Sequence, residues 1–429
     1  MASIGSALRA IKSELCKYVP DEMILDVCRG IGHEWRERVL GPAMTIHLLL
    51  LQLLSNVAMI RLHHLSKIPV SAAALCKARM RLPLQVLREL ICRVGDKAPV
   101  ALWKNRHRVV MVDGTTFLTQ DTPQLARTFG KAQKPTVAYR GYPAPRMVML
   151  VDWANGLIRR VIALPYARHE LTVLRRLLAA LRPGDLLLGD RGLISFAHLA
   201  LMMQAGLHGC FRLPRCLTVH GRGKGRCRRL QKLGKQDLLV SWGRPRRHKR
   251  RWLSDRRWKQ LPQSLTLRQI AFRLCRPGFR SRWAWVITTL TCPSQYAAQD
   301  IAELYGQRWH IELCFRHLKH SLNMGQFSAR TLVGVRKEML AFVLVYNLVR
   351  QVMLAAAQRQ GVSPDRISFR DALTYLLWWT PQSPPPRLIV YPRRRRPTHP
   401  RARKHGGFLF PVLKAFRQTL LKPAAEALI

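Results

Sequence analysis

HRVVMVDGTTFL, residues 107–118, decides the reading of the fold. Val109 to Val112 form an unbroken apolar, β-rich run that ends in Asp113 and Gly114. DLLLGDRG, residues 185–192, repeats the pattern, a short apolar strand ending in Asp190 between Gly189 and Arg191-Gly192. Between these runs, residues 146–165 (RMVMLVDWANGLIRRVIALP) read as two strands around the turn Ala154-Asn155-Gly156. Residues 169–185 (HELTVLRRLLAALRPGD) read as a helix closed by Pro183-Gly184. ISFAHLALMMQAGLHG (194–209) gives a second helix and GCFRLP (209–214) a further strand. Three strands with a hairpin, then helix, strand, helix, strand, predict an α/β layered core.

Working outward, residues 1–102 read as a helical domain, with apolar positions three and four apart and Pro69 and Pro83 as punctuation. Residues 70–90 (VSAAALCKARMRLPLQVLREL) suggest two short helices, the first capped by Ser71. Their Lys77, Arg79 and Arg81 either face DNA or decorate a plain packing domain, and the two readings stand level. The apolar runs 43–60 and 339–357 are interrupted by His47, Gln52 and Asn56 and by Asn347, Arg350 and Gln351. Both are expected as buried helices rather than membrane spans. The opening residues show no signal-type apolar run. The ten cysteines form no CxxC pair and no zinc-finger spacing, so reduced core residues are expected.

Charge divides the chain further. There are 73 Lys+Arg against 23 Asp+Glu, a formal net charge of +50, while 48% of residues are hydrophobic. Wholesale disorder is excluded, and a polyanion partner is implied, nucleic acid ahead of an anionic membrane. Residues 212–282 hold 23 basic residues against Asp237 and Asp255, a net of +21. WAWVITTL (283–290) then resumes the strand pattern, so 212–282 is expected to be a basic insertion in a catalytic domain spanning 103–380. Residues 381–429 (PQSPPPRLIVYPRRRR and onward) read as a basic tail with a short helix near Phe410 to Leu421, a possible DNA or protomer contact.

In so acid-poor a chain, three carboxylates stand out. Asp113 and Asp190 lie at the carboxyl ends of predicted central strands, where α/β sheets bind ligands, although Asp beside Gly is also ordinary turn chemistry. Glu312 lies in YGQRWHIELCFRHLK, residues 305–319. On a helix of about 100° per residue, Tyr305, Arg308, Glu312 and Lys319 fall within roughly 60° of one another, beside an apolar face of Leu304, Ile311, Phe315, Leu318 and Leu322. The plain alternative is a solvated helix with an Arg308–Glu312 pair. Two Asp and one Glu form an oxygen-donor set of the kind that holds Mg²⁺ or Mn²⁺. Two such ions, with a basic surface for the phosphate backbone, point to phosphoryl transfer on DNA.

These motifs resemble the DDE transposases of bacterial insertion sequences, specifically the IS-four group. That group is marked by Y-x2-R-x3-E-x6-K, matched by Tyr305, Arg308, Glu312 and Lys319. Its D-G-T and G-D-R-G contexts are matched by Asp113-Gly114-Thr115 and Gly189-Asp190-Arg191-Gly192. The resemblance covers roughly residues 104–350. It implies an RNase H-like catalytic core, a mixed sheet flanked by helices, with a β-rich insertion between the second Asp and the Glu. It implies Asp113, Asp190 and Glu312 as catalytic ligands of two Mg²⁺ ions, with Mn²⁺ able to substitute. Tyr305, Arg308, Lys319 and Arg191 would contact DNA. Trp285, or its competitor Trp283, would receive a base flipped from a hairpinned end. The implied partners are double-stranded DNA, as transposon ends and target, and a second protomer in a synaptic homodimer, with no membrane. The implied location is the cytoplasm, at the nucleoid. Two rivals remain on sequence alone: a structure-selective nuclease of the same fold, and a non-enzymatic basic DNA-binding protein.

Overall fold

The computed structural model describes residues 16–56, 70–131, 141–213, 227–246, 252–274, 282–325, 327–378 and 387–388. The chain divides into two units, Met1–Leu274 with Trp283–Pro392, and Cys275–Arg282 with Arg393–Ile429. The sheet and the helices around it belong to the first. The expected tail helix near Phe410 lies outside the described residues.

The chain begins with α1 (Asp21–Gly30), α2 (Pro42–Ser55), α3 (Ala72–Arg81) and α4 (Leu84–Asp96). Ser71 caps α3 by accepting from the Ala74 amide at 3.1 Å, and Pro83 separates α3 from α4. The strands then alternate with helices: β1 (Val109–Thr116), α5 (Pro123–Phe129), β2 (Arg146–Asp152), β3 (Ile158–Leu164), α6 (Leu171–Leu178), β4 (Leu186–Gly189), α7 (Phe196–Gln204) and β5 (His208–Arg212). Next come β6 (Cys227–Gly234), β7 (Asp237–Gly243), α8 (Asp255–Lys259), β8 (Ser264–Leu274) and β9 (Arg282–Thr288). The described chain closes with α9 (Ala298–Gly306), α10 (His310–Arg316), α11 (Leu332–Gln360) and α12 (Phe369–Trp378).

All nine strands join one mixed sheet in the order β3-β2-β1-β4-β5-β9-β8-β7-β6. The fold is an RNase H-like core: β1, β4 and β5 run parallel, and β2 and β3 meander antiparallel beside β1. The basic stretch does not form a separate layer. β9 pairs antiparallel with β5, so β6 to β9 lengthen the central sheet.

Strand parity divides the interior. Val109 and Met111 of β1 and Leu186 and Leu188 of β4 pack into one core with the amino-terminal helices and α9 to α11. Val110, Val112 and Leu187 pack into a second core with α6, α7 and the apolar side of the insertion, including Trp242 and Leu267. The 29-residue α11 is long and apolar enough to span a bilayer, yet 83% of its most apolar window is buried inside the protein. Its polar residues have internal partners, as their interruption of the apolar run implies. Asn347 donates to the Ile158 carbonyl and accepts from the Ile158 amide, each at 2.9 Å. Arg350 donates to the Asn155 carbonyl at 2.9 Å and to Asp365 at 3.0 Å.

One expectation changes at the periphery. Arg79 does not join an exposed basic row: it donates to Gln52 at 2.9 Å, and its carbonyl accepts from Lys337 at 2.7 Å, leaving Lys77 and Arg81 exposed. The apolar run 43–60 is a buried helix, as expected, through Ser55, and residues 57–69 lie outside the described residues. The described cysteines are free thiols, with Cys28, Cys210, Cys227 and Cys314 buried as expected and Cys76 and Cys92 exposed.

Candidate active site

The register of two parallel strands builds the site. Val112 of β1 lies opposite Gly189 of β4, so Asp113 and Asp190 each follow the last paired residue and stand side by side at the carboxyl end of the sheet. By parity both belong to the face that carries α9 to α11. Gly189 is required by packing: a Cβ there would lie 2.7 Å from Phe211 and 3.2 Å from Val112.

The segment from Tyr305 to Lys319 is not one regular helix. A 3₁₀ turn, Gln307–Trp309, joins α9 to α10, and a π turn, His317–Ser321, follows α10. A 3₁₀ turn winds about 3.0 residues per turn instead of about 3.6, so the single polar stripe is redistributed among three local geometries. The apolar face survives, since Leu304, Ile311, Phe315, Leu318 and Leu322 are all buried. Arg308, in the 3₁₀ turn, donates to Asp113 Oδ2 at 2.9 Å and to Glu312 at 3.4 Å. It thereby ties the signature segment to the end of β1.

The other expected residues take distinct places. Tyr305 is 5% exposed, and its hydroxyl donates to the Gly189 carbonyl at 3.4 Å, directly beneath Asp190. Burial, above all, holds its phenol protonated well above the usual tyrosine range. Lys319 is half-buried with its ammonium 5.1 Å from the Phe117 ring, and burial pulls its pKa down. Arg191 is exposed in the short turn after Asp190. Trp285 lies half-buried on β9, and its neighbour Trp283 is 45% exposed on the same strand face, under the Arg273 guanidinium at 5.8 Å.

The local field is negative in a very basic chain. Burial pushes the Asp113 carboxyl up from its ordinary value; Arg308 and the Gly114 amide, which donates to Asp113 at 2.8 Å, pull the other way, and Asp190 adds to the rise. Burial lowers the pKa of Arg308, but Tyr305, Asp113, Asp190 and Glu312 together outweigh it, so this guanidinium stays charged. Asp190 Oδ1 is buried and makes no hydrogen bond among the described residues. A buried, unsatisfied carboxylate oxygen is costly unless a cation meets it. With Asp113 on a strand, Asp190 on a strand end and Glu312 on a helix, the donors are hard oxygens from rigid elements. They fit a divalent cation of the Mg²⁺ class.

A fourth acid, Glu170, was not singled out from the sequence. It stands immediately before α6, and a Cβ on Gly114 would lie 2.3 Å from its carboxyl oxygen. His169 beside it abuts Gly192, 3.8 Å from where a Cβ would stand. The available signal was the pair His169-Glu170 at the start of a helix following the strand hairpin. Elsewhere, Cys16, Asp21 and His47 place ligand-type atoms within 4.8 Å of one another, a group that includes none of these acids.

Residues 104–348 match the transposase DDE domain. The chain is 24% identical over 373 residues to the transposase InsG for insertion sequence element IS4 from Escherichia coli, covering 80% of this chain and 78% of that one. A shorter match, 33% identical over 116 residues, is to the putative transposase y4zB from Sinorhizobium fredii, covering 26% of this chain and 31% of that one. Among solved structures, the chain aligns with the piggyBac transposase in a synaptic complex with hairpin DNA. The TM-score is 0.45 and the identity 9%, over 87% of this chain and 79% of that one.

Proposed function

The chain belongs to the transposase DDE domain family, of the type that serves insertion sequences such as IS4, and from that premise we propose a specific cut-and-join chemistry for it. DNA transposition is the function of the family, and its members use divalent metal ions. In the proposed reaction the protein binds terminal inverted repeats, hydrolyses a phosphodiester bond at each end and joins the freed 3′-hydroxyl to target DNA.

Asp113, Asp190 and Glu312 would hold two Mg²⁺ ions, which supply an activated water or 3′-hydroxyl and stabilise the leaving oxygen. The observation that carries this reading is the β1–β4 register, which sets Asp113 beside Asp190, together with the Arg308 bridge from Asp113 to Glu312. Arg308 neutralises part of the acid cluster and fixes the distance between strand and helix. Tyr305 holds the β4 end in place through Gly189. Lys319 and Arg191 lie on segments continuous with the acids and would meet the phosphates of the bound end. The cationic strands of the insertion attract the DNA backbone without reading sequence. Trp285, with the more exposed Trp283 beside it, would stack on an unpaired base of a hairpin intermediate. Two protomers would join at the synapse, on DNA at the bacterial nucleoid.

The test is cleavage of end-labelled terminal-repeat DNA with Mg²⁺. Asp113→Ala, Asp190→Ala and Glu312→Ala should each abolish cleavage while retaining end binding. Wild-type cutting by all three variants would overturn the reading. Strand transfer into a plasmid separates transposition from simple nuclease action.

A further inference from the structure

We propose that Glu170 is a fourth carboxylate of the catalytic site, admitted to the end of β1 by Gly114 and contributing to divalent-cation binding. The inference rests on the proposed set of Asp113, Asp190 and Glu312 and adds a residue outside the three family motifs.

The geometry is specific. Gly114 follows Asp113 on β1, and its strand parity directs any side chain toward the face covered by α6. Glu170 precedes α6 and fills that direction: its carboxyl oxygen and carbon would lie 2.3 and 2.5 Å from a Cβ at position 114. No side chain larger than hydrogen fits at position 114 without displacing Glu170. The glycine after the first aspartate is therefore a notch for a carboxylate as well as a turn residue. Asp113 stands on the opposite face of the same strand end, so the two acids approach β1 from either side.

Glu170 is poorly placed for a merely structural role. Its side chain is 19% exposed, and among the described residues it pairs with Arg146 at 3.9 Å. Burial first and then Asp113 push its carboxyl up, Arg146 opposes them, and Asp190 adds a smaller rise. Asp113 and Asp190 thus act on Glu170 at the end of β1, where Arg308 bridges Asp113 and Glu312 and Arg146 stands 3.9 Å from Glu170. A partly buried acid that adds repulsion to a site already rich in acids weakens the fold unless a bound cation offsets it. Among ligands of this reaction, a divalent cation meets that condition, whereas DNA phosphate would worsen the repulsion.

The experiment is Mn²⁺ titration of the full-length protein, followed by electron paramagnetic resonance of the free ion. Glu170→Gln keeps the shape and removes the charge, and it should weaken Mn²⁺ binding by about tenfold or more. Gly114→Ala, which drives the carboxylate out of its notch, should weaken it comparably. Gly114→Ala/Glu170→Ala should be no weaker than Glu170→Ala alone, since the new methyl group then has space. Thermal unfolding in chelator controls for folding, and Glu170→Gln should unfold at or above the wild-type temperature. Asp113→Asn separates the two readings. Wild-type Mn²⁺ affinity in Glu170→Gln beside a loss in Asp113→Asn overturns the role of Glu170 and leaves the proposed function standing. Wild-type affinity in both overturns the acid set itself.

Discussion

Two arginines, Arg308 and Arg268, sit in polar clusters of opposite balance. Arg268, on β8 in the insertion, is 1% exposed; its Nε donates to Asp237 at 2.8 Å and a terminal nitrogen to the Tyr296 carbonyl at 2.6 Å. One cation there meets one carboxylate and one carbonyl, and the cluster is closed. It ties β7 to β8 and to the loop before α9. Arg308 serves Asp113 and Glu312 at once, while Asp190 keeps a buried oxygen without a hydrogen bond and Glu170 presses in from the far face. A balanced cluster holds strands together. An acid-rich one stores repulsion that a bound cation would relieve, as the proposed reaction requires.

The contrast breaks most sharply by mutation. Asp190→Asn should remove several kcal/mol of transition-state stabilisation, a cleavage loss of about a thousandfold or more, with little loss of thermal stability in chelator. Asp237→Ala should do the reverse. It strands a buried guanidinium and should cost about 3–5 kcal/mol in denaturant unfolding. If Asp190→Asn destabilised the protein as much as Asp237→Ala, the two clusters would be of one kind.

A smaller effect sharpens the role of packing at the site. Gly189→Ala inserts a methyl group against Phe211 and Val112 and should cost about 1–3 kcal/mol. It should also lower cleavage by moving Asp190, a joint loss that Asp237→Ala would not show once its stability deficit is offset at low temperature.

The smallest predicted effect is a pH dependence beside the site. His317 stacks on Phe369 with ring centroids 4.2 Å apart. Burial first, then Arg316 and Arg350, pushes its pKa from 6.5 down to about 4. The unfolded chain therefore binds a proton that the folded chain refuses. This contribution is intact above about pH 6.5 and falls away as pH drops toward 4. Between about pH 7 and about pH 5, wild-type protein should lose more melting temperature than His317→Gln. Equal losses would show that His317 is not the group responsible.

The central sheet and the strand-end positions of Asp113 and Asp190 were legible because each depends on short-range pattern. Apolar runs ending in Asp-Gly and Gly-Asp mark β1 and β4, and apolar spacing marks the buried face that includes Ile311 and Phe315. Glu170 was hidden because its placement depends on how α6 docks over β1, which no local period records. The 3₁₀ and π turns around α10 were hidden for a related reason. They leave the hydrophobic spacing nearly unchanged while changing the local winding around Arg308 and Lys319. Arg79 looked like a surface cation because helix propensity is silent about Gln52 and Lys337, its partners from distant segments.

The sheet's two outer strands are β3 and β6, and their treatment differs. Asn347 presents a side-chain amide to both polar groups of Ile158, occupying β3 much as another strand would. β6 instead exposes Arg228, Arg229, Leu230, Gln231 and Lys232, a border where cationic side chains oppose edge-to-edge association between copies. The β3 border is thus closed at Ile158 by mimicry, and the β6 border is opposed by charge. Copies crowded on a single DNA molecule would keep their sheets separate.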